Sequence, residues 1–491
     1  MRVTLQVILE ALRDARLLAG TRGDLPTEVG ALTDDSRAVK PGALFVAVRG
    51  AERDGHDYLD AATSGGATAA IVDDSSRTAL PTIVVSDTRR AASVAAAAFH
   101  GFPARSLRLV GVTGTNGKTT TVGMLRHLLD EAGARAASIG TLGVLIGSEG
   151  ITMPGGSGLT TPGPVELQRV LRELVDAGVR TVAMETSSHA LHQHRVDTLR
   201  FASAVFMNLT RDHLDYHGTM EAYLAAKALL VGLLTADGVA VTNADDPAWE
   251  ALPPAPRRVR FGLDGDADVR AEQVRFAPRG SSWTLVAGRE RHQLELPLIG
   301  DFNVDNALAA AAAAWALGMS AARIAKRLGT MPQVPGRLEI LSEQPVVLRD
   351  YAHTPDALER ALQAVRPFAT NRLIVVFGCG GDRDRGKRPE MGRIAQCGAD
   401  LAIVTSDNPR TEDPECILDD IEAGMTGAHE RIEDRRSAIA RAVSIAGDGD
   451  VVLLAGKGHE TYQVRGTVKY PFDEREIVGE IMSESVAKGT G

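Results

Sequence analysis

Residues 109–120, with the sequence LVGVTGTNGKTT, constrain the fold more than any other stretch of this chain. Their apolar first half predicts a buried β-strand, and the spacing of apolar residues after them predicts an α-helix. Glycines between a strand and a helix let backbone N–H groups close around phosphate oxygens, and the positive end of the helix dipole adds attraction. The stretch therefore predicts a phosphate-binding loop, in which Lys118 reaches the β- and γ-phosphates and the Thr119 hydroxyl binds Mg²⁺.

The loop is a variant of the usual phosphate-loop pattern, which has a glycine where this chain has Val112. The match therefore covers the residues from the next glycine onward: Gly114, Thr115, Asn116, Gly117, Lys118, Thr119 and Thr120. A glycine- and threonine-rich turn with an unrelated lysine is the alternative. The strand before the loop and the helix after it favour nucleotide binding.

Length and composition exclude several classes of protein. A chain of 491 residues suggests about three domains of roughly 150 residues each, and 44% hydrophobic residues suffice for buried cores. Charged residues interrupt the N-terminus, which shows no signal-peptide pattern, and the longest apolar run, residues 307–317, is too short for a membrane span. The net charge of −9 argues against nucleic-acid binding. Three widely spaced cysteines predict free thiols, so we expect a cytoplasmic protein, which we take to be a monomer.

Strand-like and helix-like segments alternate along the chain, which predicts an α/β fold. We divide it into residues 1–106, with short strands, residues 107–335, a nucleotide-binding domain around the phosphate loop, and residues 336–491, where strands and helices alternate again. No internal repeat marks either boundary. The division therefore rests on where the pattern of elements changes.

Two polar residues follow predicted strands of the middle segment. Glu185 ends the strand that contains residues 182–184, and a carboxylate at the end of a parallel strand beside a phosphate loop suits Mg²⁺. His213 follows the next strand, residues 202–207. A satisfied core histidine is the usual interpretation, but the position on a loop at a strand end favours a metal or nucleotide role.

Three further features have two interpretations each. Lys227 lies in an otherwise apolar helix, where a lysine usually extends its ammonium to solvent; alternatively, a desolvated, neutral lysine reacts with CO₂ and its carbamate ligates a metal. The sequence context alone favours the first. Asn303 and Asn306 open an alanine-rich helix and either face one ligand or cap the helix. Ser36 and Arg37 lie beside a turn and either hold a pyrophosphate or uracil or only cap it.

Three strands of the last segment end in polar, glycine-containing loops: residues 378–388, 406–410 and 456–460. The strand that begins at residue 346 leads in the same way to residues 350–353. In an open parallel sheet such loops share one edge, where ligands bind. One such loop is weak support for a binding site, but several in one domain are strong support.

Taken together, these segments resemble the Mur ligases, the ATP-dependent amino-acid-adding enzymes of peptidoglycan synthesis. The resemblance runs from residues 35–37 to residues 458–460, and its motifs are specific in combination: residues 114–120, 185–189, 208–218, 335–337 and 350–353. It implies three domains: a UDP-binding N-terminal domain, a central P-loop-type ATPase domain with a mostly parallel sheet, and a C-terminal Rossmann-like domain for the incoming amino acid. Among members, the match is to those that add diaminopimelate as the third residue.

The resemblance also assigns roles to residues. It implies that Lys118, Thr119, Glu185 and His213 serve ATP and Mg²⁺, and that Lys227 is carbamylated and ligates metal, which reverses the interpretation favoured by its sequence context. The other assignments are Asn303, Asn306, Arg337 and Asp350 to the nucleotide; Ser36, Thr160, Thr161, Ser187, Gln193 and Arg195 to the UDP-linked substrate; and Arg383, Asp407, Asn408, Pro409, Arg410, Gly456 and Glu460 to diaminopimelate. Residues 51–53 depart from a His-Gln-Ala sequence of some members, which leaves uridine contacts there open.

The implied reaction uses ATP to convert the D-glutamate carboxylate of UDP-N-acetylmuramoyl-L-alanyl-D-glutamate to an acyl phosphate, which an amine of meso-2,6-diaminopimelate attacks. Both reactants are anionic, so arginine side chains are the expected clamps. Arg383 and Arg410 would hold the carboxylate that distinguishes diaminopimelate from lysine; alternatively, Arg410 only pairs with Glu412 or Asp413 at the surface. A folylpolyglutamate-type ligase is the other candidate with this fold. A non-catalytic nucleotide-dependent switch is the candidate of another class.

Overall fold

The computed structural model describes residues 2–50, 53–156, 158–263, 266–277 and 279–489. The chain divides into two compact units. The first unit comprises the residues up to 270 together with residues 286–290 and 306–324. The second unit comprises residues 271–285, residues 291–305 and the residues from 325 onward. Strands and helices alternate throughout, which confirms the α/β fold class. None of the helices in the described ranges combines the length and the apolar character that crossing a membrane requires.

The first unit begins with a five-stranded, mostly parallel sheet in the order β2-β7-β6-β5-β4. The elements of this part are β1 (Val3–Thr4), α1 (Leu5–Asp14), β2 (Leu18–Arg22), β3 (Glu28–Val29), β4 (Ala31–Thr33), β5 (Ala43–Val46), α2 (Leu59–Ser64), β6 (Ala67–Val72), β7 (Thr82–Val85) and α3 (Thr88–Phe99). Only β2 runs antiparallel to its neighbour in this sheet. Helix α3 packs its alanines Ala91, Ala92 and Ala95 into the same core as Leu44 and Ile71, because small side chains let a helix approach a sheet closely.

The phosphate-loop strand lies at the centre of the next sheet, between two parallel neighbours. The elements are β8 (Arg108–Thr113), α4 (Lys118–Leu129), β9 (Arg135–Gly140), β10 (Gly143–Ile146), β11 (Ile151–Met153), α5 (Pro164–Asp176), β12 (Val179–Glu185), α6 (Ser188–His192), β13 (Phe201–Phe206), α7 (Leu214–His217), α8 (Met220–Ala228), β14 (Leu234–Asn243) and β15 (Arg257–Gly262). Their order is β11-β10-β9-β12-β8-β13-β14-β15, with β9, β12, β8, β13, β14 and β15 parallel. Further along the chain come β16 (Val269–Ala277), β17 (Gly280–Ala287), β18 (Glu290–Leu296), α9 (Asp301–Ala316) and α10 (Ala321–Leu328).

The second unit contains a six-stranded sheet in the order β19-β20-β24-β21-β22-β23. The elements are β19 (Glu339–Glu343), β20 (Val346–Asp350), α11 (Pro355–Val365), β21 (Leu373–Phe377), α12 (Lys387–Gly398), β22 (Leu401–Val404), α13 (Pro414–Glu422), β23 (Glu430–Arg431), α14 (Arg435–Ile445), β24 (Val451–Ala455), β25 (Tyr462–Arg465), β26 (Val468–Pro471) and α15 (Glu474–Gly489). All its strands except β19 run parallel. Helix α11 has Thr354 as its N-cap and Pro355 as its first residue.

This sheet is covered on both faces, which explains the continuous apolar runs of its strands. Leu453 and Val375 belong to a buried cluster with α11, α12 and α13, whereas Val452 and Ile374 belong to another with α14 and α15. Successive residues of a strand point to opposite faces. The central strands β21, β22 and β24 therefore have an apolar side chain at every position.

Leu453→Ala should destabilise the protein strongly, because Leu453 is fully buried at the centre of this sheet. Removing a buried leucine side chain leaves a cavity and costs about 2–5 kcal/mol of unfolding free energy. Urea unfolding followed by circular dichroism measures the loss. Val468→Ala is the control: Val468 is 51% exposed on β26, and its loss should stay within about 0.5 kcal/mol. Equal effects of the two substitutions would contradict the placement of β24.

Candidate active site

The predicted strand, phosphate loop and helix are present: β8 ends at Thr113 and α4 begins at Lys118. Gly114 and Gly117 have φ angles of 146° and 83°, a region that side chains rarely allow, so the turn depends on both glycines. The Nζ of Lys118 donates to the carbonyl oxygens of Gly114 at 3.0 Å and Thr115 at 2.8 Å. The ammonium therefore lies over the backbone of the loop, where the sequence predicts phosphate binding.

A neighbouring loop holds the phosphate loop in place. The N–H of Thr115 donates to the Asn208 carbonyl oxygen, and the N–H of Asn116 donates to the Asn208 Oδ1, both at 2.8 Å. Asn208 lies in a segment that the sequence analysis singled out without a role for this residue. Its supporting role follows only from the tertiary contact.

Lys227 is 1% exposed and lies beside the phosphate loop, so the solvent-extended interpretation is wrong. Its Nζ donates to the Gly114 carbonyl oxygen at 2.8 Å and lies 4.2 Å from the centroid of the Tyr223 ring. Burial lowers the pKa of Lys227 well below its ordinary value, and the charge of Lys118 lowers it further, whereas Asp212 has the opposite effect. The environment favours the neutral amine, which is the form that reacts with CO₂.

Glu185 ends β12 directly across from Val112 of β8, at the strand end where the sequence places it. The Thr141 N–H donates to its Oε1 at 2.8 Å, and the Thr141 hydroxyl donates to its Oε2 at 3.3 Å. The Thr141 hydroxyl also donates to the Thr160 hydroxyl at 3.5 Å, and the Thr161 hydroxyl donates to the Glu185 carbonyl oxygen at 2.8 Å. The buried carboxylate thus lies among hydroxyl groups near the phosphate loop. Thr119 and Thr120 are buried in the first turn of α4.

Four residues predicted to bind the UDP-linked substrate come together around the short helix α6. Ser187 is its N-cap, and the Ser187 N–H donates to the Thr161 Oγ1 at 3.1 Å. Arg195 donates to the Gln193 Oε1 at 2.6 Å and to the Thr161 carbonyl oxygen at 2.9 Å. Because Thr160 is adjacent to Thr161, five of the six predicted residues share one region of the first unit.

His213 begins the loop-to-helix transition at α7, with a φ angle of 53° and a side chain that is 47% exposed. Its ring lies 4.8 Å from that of His189 and 6.3 Å from that of Tyr223, which also contacts Lys227. Desolvation lowers the pKa of His213, against the effect of Asp212. Burial also lowers the pKa of His189 to about 4, so that ring is neutral at pH 7. His189 lies in the same motif as Glu185, residues 185–189, but no local pattern indicates a role for it.

The turn at Ser36 shows the capping contacts of the second interpretation. Ser36 begins the 3₁₀ turn Ser36–Ala38, and the Asp35 Oδ1 accepts the N–H of Arg37 at 3.0 Å. The Arg37 guanidinium pairs with the same carboxylate at 2.8 Å. Arg37 and Asp35 therefore stabilise the turn, and uridine binding by the half-buried Ser36 stays a prediction. Ala51 and Glu52, in the segment with open uridine contacts, lie outside the described residues.

Helix α9 begins at Asp301, so Asn303 and Asn306 lie inside it and neither occupies the N-cap position. The Asn306 Oδ1 lies against the phosphate loop, since a Cβ atom added to Gly117 would be 2.2 Å from it. The Asn303 Nδ2 donates to the Ile299 carbonyl oxygen at 2.7 Å. Neither residue is therefore the N-cap of α9, and nucleotide binding stays a prediction.

In the second unit, Arg337 and Asp350, both predicted to contact the nucleotide, lie together. Asp350 ends β20, and its carboxylate accepts the N–H groups of Leu338 at 2.7 Å and Ala352 at 2.8 Å. Burial raises the pKa of Asp350, while the charge of Arg337 acts against the increase. The Arg337 guanidinium lies 4.7 Å from the centroid of the Tyr351 ring. A fixed anion, a cation and a flat aromatic surface are therefore adjacent.

The glycine-containing loops of this unit meet at one edge of its sheet, as predicted. The Gly456 N–H donates to the Asp350 carbonyl oxygen at 3.1 Å, and a Cβ atom on Gly456 would be 2.5 Å from the Asp407 Oδ2. Within the described part of the chain, this buried Oδ2 has no hydrogen-bond partner. A buried carboxylate oxygen without a donor is costly, so it indicates where a ligand N–H belongs.

Arg383 and Arg410 both lie beside Gly380. A Cβ atom on Gly380 would be 2.9 Å from the Arg410 Nη1 and 3.6 Å from the Arg383 Cγ. The surface-pair alternative for Arg410 is wrong: Glu412 pairs with Arg388 at 2.8 Å, and Asp413 caps α13. In the ranges that the structure describes, Arg410 instead donates to the Gly381 carbonyl oxygen at 2.7 Å and forms no ion pair.

Asn408, Pro409 and Glu460 complete the predicted set. The Asn408 Nδ2 donates to the Glu460 Oε2 at 2.9 Å. The two loops are packed so closely that a Cβ atom on Gly381 would be 1.9 Å from the Pro409 carbonyl oxygen. All seven residues predicted for the acceptor therefore lie on three adjoining loops of one sheet edge.

Comparison with known families assigns most of the chain. The family model described as "Mur ligase family, catalytic domain" matches residues 28–108, "Mur ligase middle domain" matches residues 112–314, and "Mur ligase, glutamate ligase domain" matches residues 336–458. These ranges include the phosphate loop and most of the acceptor loops. They follow one another along the chain without overlap.

Individual proteins agree with the family models. A UDP-N-acetylmuramoyl-L-alanyl-D-glutamate–2,6-diaminopimelate ligase of Geobacter metallireducens is 47% identical, with 96% of this chain and 97% of that protein covered. A solved structure of a ligase with the same name has a TM-score of 0.68 at 34% identity and covers 100% of both chains. A MurF ligase of Thermotoga maritima, solved with ADP, shares the fold at a TM-score of 0.65 and 20% identity, with 93% of this chain and 98% of that chain covered. The chain belongs to the Mur ligase family.

Proposed function

We propose that this protein adds meso-2,6-diaminopimelate to the D-glutamate of UDP-N-acetylmuramoyl-L-alanyl-D-glutamate, with ATP, in the cytoplasmic synthesis of peptidoglycan precursors. The identity of 47% to a ligase of that name supports the reaction. The observation that carries the choice of acceptor is the loop cluster in which Arg383 and Arg410 flank Gly380 and the buried Asp407 Oδ2 has no partner within the described residues.

ATP use is supported by the geometry of the phosphate loop. The loop lies between a central parallel strand and a helix, and it carries Lys118 over its backbone. A related ligase with this fold was solved with ADP. We keep the three-domain division of residues 1–106, 107–335 and 336–491, in which the middle domain holds ATP and the last holds the acceptor.

The chemistry requires charge stabilisation first. The D-glutamate carboxylate attacks the γ-phosphorus of ATP, which gives an acyl phosphate and ADP. Negative charge spread over phosphoryl oxygens is stabilised by the Lys118 ammonium and by the positive end of the α4 dipole, which are already oriented. The acceptor amine then attacks the acyl carbon, loses a proton, and displaces inorganic phosphate to leave an amide.

Magnesium fits the residues beside the loop. The described residues hold no group of three or more His, Cys, Asp and Glu side chains able to bind a metal ion. Mg²⁺, however, commonly takes only one or two protein carboxylates and completes its shell with water and phosphate oxygens. The buried Glu185 carboxylate and Thr119 hydroxyl suit one ion, and His213 with a carbamate on Lys227 suits a second. Such ions would neutralise phosphate charge during the transfer.

The carbamate follows from the environment of Lys227. Its amine is buried, its pKa is well below the ordinary value, and Gly114 contributes only a carbonyl oxygen as partner. A neutral amine adds to CO₂ and releases a proton, which leaves a carbamate anion on Lys227. The Lys118 ammonium attracts this anion, whereas it would repel a protonated Lys227. The same step supplies two oxygen atoms of the kind that Mg²⁺ prefers.

The acceptor set distinguishes diaminopimelate from lysine and from the folylpolyglutamate alternative. Two guanidinium groups on adjoining loops suit a carboxylate, which arginine holds in a two-point geometry. Asp407 and Glu460 suit the ammonium group at the same end of the molecule. Lysine has no carboxylate there and would leave the arginines without an anion. A diaminopimelate ligase covers 96% of this chain, whereas a folylpolyglutamate synthase structure covers 75% of it.

The acceptor assignment predicts a strong preference for diaminopimelate over lysine. We expect wild-type kcat/KM, from ADP release with the UDP-linked dipeptide present, to favour diaminopimelate by about 10²-fold or more, since lysine leaves buried charges unpaired. Arg410→Ala should remove most of the preference by losing activity with diaminopimelate. Arg385→Ala is the matched control, because Arg385 lies in the adjoining loop that carries Arg383 but pairs with Asp420 at the surface. A wild type that uses lysine equally well would overturn the assignment.

Carbamylation of Lys227 is a separate prediction. Wild-type protein in ¹³C-bicarbonate should show a carbamate resonance in its NMR spectrum that Lys227→Arg lacks. Lys227→Ala should be nearly inactive and partly rescued by short-chain carboxylates, which replace the lost anion. Retention of most activity by Lys227→Ala would mean that the carbamate has no catalytic role.

Lys227 should also give stability a pH dependence. Its folded-state pKa lies below the ordinary 10.5, so between these two values the unfolded state binds the extra proton and stability rises with pH. In CO₂-free buffer, we compare the unfolding free energies of wild type and Lys227→Met. The difference, wild type minus variant, should rise by up to about 1.4 kcal/mol per pH unit between about pH 8 and 10. Urea unfolding measures it, with the exposed Lys326→Met as control. Parallel pH profiles of wild type and Lys227→Met would contradict the burial of a neutral amine.

A further inference from the structure

Lys457 is a fully buried lysine in the loop that follows β24, between Gly456 and Glu460. Its Nζ donates to the Asn408 Oδ1 at 3.1 Å and pairs with the Glu460 Oε2 at 3.2 Å. The Phe472 ring lies on another side, with its centroid 5.8 Å from Nζ. A buried ammonium is retained only where such partners compensate its desolvation.

These contacts fix the orientation of the Asn408 amide. Its Oδ1 accepts from the Lys457 ammonium and also from the Val464 N–H at 2.8 Å. Since both partners are donors, the oxygen must point toward them and the Nδ2 must point away. The Nδ2 then donates to the Glu460 Oε2 at 2.9 Å, which closes a triangle of Lys457, Asn408 and Glu460.

The triangle also fixes the Glu460 carboxylate. Its Oε2 takes hydrogen bonds from both Lys457 and Asn408, and the carboxyl group is planar, so the direction of Oε1 is set as well. Glu460 remains half-buried rather than enclosed. One oxygen anchors the side chain, and the other is available to a ligand with an N–H group.

The path of the loop does not depend on Lys457. The Gly456 N–H donates to the Asp350 carbonyl oxygen at 3.1 Å, and the Tyr351 N–H donates to the Gly336 carbonyl oxygen at 2.9 Å. Gly458 is packed so closely that a Cβ atom there would be 2.7 Å from the Tyr351 Cβ. Backbone contacts on both sides therefore hold the loop, and the lysine side chain acts on the groups it touches.

We propose that Lys457 is a positioning residue for the acceptor amino acid: its buried ammonium orients Glu460 and Asn408, and through them the ammonium group of diaminopimelate. The inference rests on the proposed function, because it concerns the acceptor of that reaction. Lys457 itself does not contact the acceptor. Without it, the Glu460 carboxylate is free to turn to solvent, and Asn408 loses the donor that fixes its amide.

The test is steady-state kinetics of Lys457→Met and Lys457→Gln, with ADP release as readout. Both variants should raise the KM for diaminopimelate by at least about tenfold, which corresponds to the loss of roughly one oriented charge-assisted hydrogen bond. The KM for ATP and that for the UDP-linked dipeptide should change by less than about twofold. If a variant raises the KM for all three substrates alike, or fails to fold, the role of Lys457 is merely structural and the proposal is overturned.

Arg372→Met is the matched control. Arg372 pairs with the buried Asp450 at 2.7 Å in the same sheet, but both residues precede their strands and so lie at the opposite edge. Removing this cation should lower stability without changing the KM for diaminopimelate. An equal rise in this KM for Arg372→Met and Lys457→Met would overturn the proposal.

A double-mutant cycle tests whether Lys457 acts through Glu460. If it does, Lys457→Met should add less than about threefold to the KM of Glu460→Gln, because the group it orients is already altered. Full additivity would overturn the proposal. Wild-type kinetics separate the two inferences: a wild type without diaminopimelate-dependent ADP release refutes the proposed function, whereas an active wild type with an unchanged KM in Lys457→Met refutes only the role of Lys457.

Discussion

Parallel strands end at a common edge of their sheet, and the candidate sites of both units depend on this geometry. In the first unit, the register that puts Glu185 opposite Val112 also puts the phosphate loop next to a carboxylate. In the second, the pairing of Asp350 with Ala455 brings the residues predicted to contact the nucleotide next to a loop predicted to bind the acceptor. Strand ends leave backbone N–H and C=O groups without ladder partners, and glycine-containing loops let ligands or other loops approach these groups.

Burial then decides the chemical state of the groups collected at these edges. Two lysines are almost completely buried, but their partners differ. Lys227 meets a carbonyl oxygen and an aromatic ring, and its pKa is lowered, whereas Lys457 meets the carboxylate of Glu460. The first environment favours a neutral, reactive amine, and the second favours a fixed cation that orients its neighbours. These environments support the proposals of modification for Lys227 and of positioning for Lys457.

Much of the fold could be predicted from the periodicity of apolar residues and from the glycine and proline residues that end helices and strands. The strand and the helix on either side of the phosphate loop occur where the pattern predicts them, and the strand predicted at residues 202–207 is β13, Phe201–Phe206. Glycine spacing and apolar runs are local properties of the chain, so they can be recognised from the sequence alone. The local context of Lys227 favoured an ammonium that extends to solvent, which was wrong, because the burial of a helix face depends on what packs against it. The surface pair for Arg410 was wrong for a similar reason, since Arg388 takes Glu412.

By itself, the sequence determined the α/β class, the phosphate loop and the residue types needed to bind anionic substrates. Its motifs also pointed to the ligase family, because their combination over the whole chain is specific. Only the tertiary structure decided which partner each of these groups has: Asn208 against the phosphate loop, Lys227 at the Gly114 carbonyl, and Lys457 within the triangle with Asn408 and Glu460. Such contacts join residues that are far apart in the chain. Local pattern carries no information about their separation in space, whereas desolvation and charge depend entirely on it.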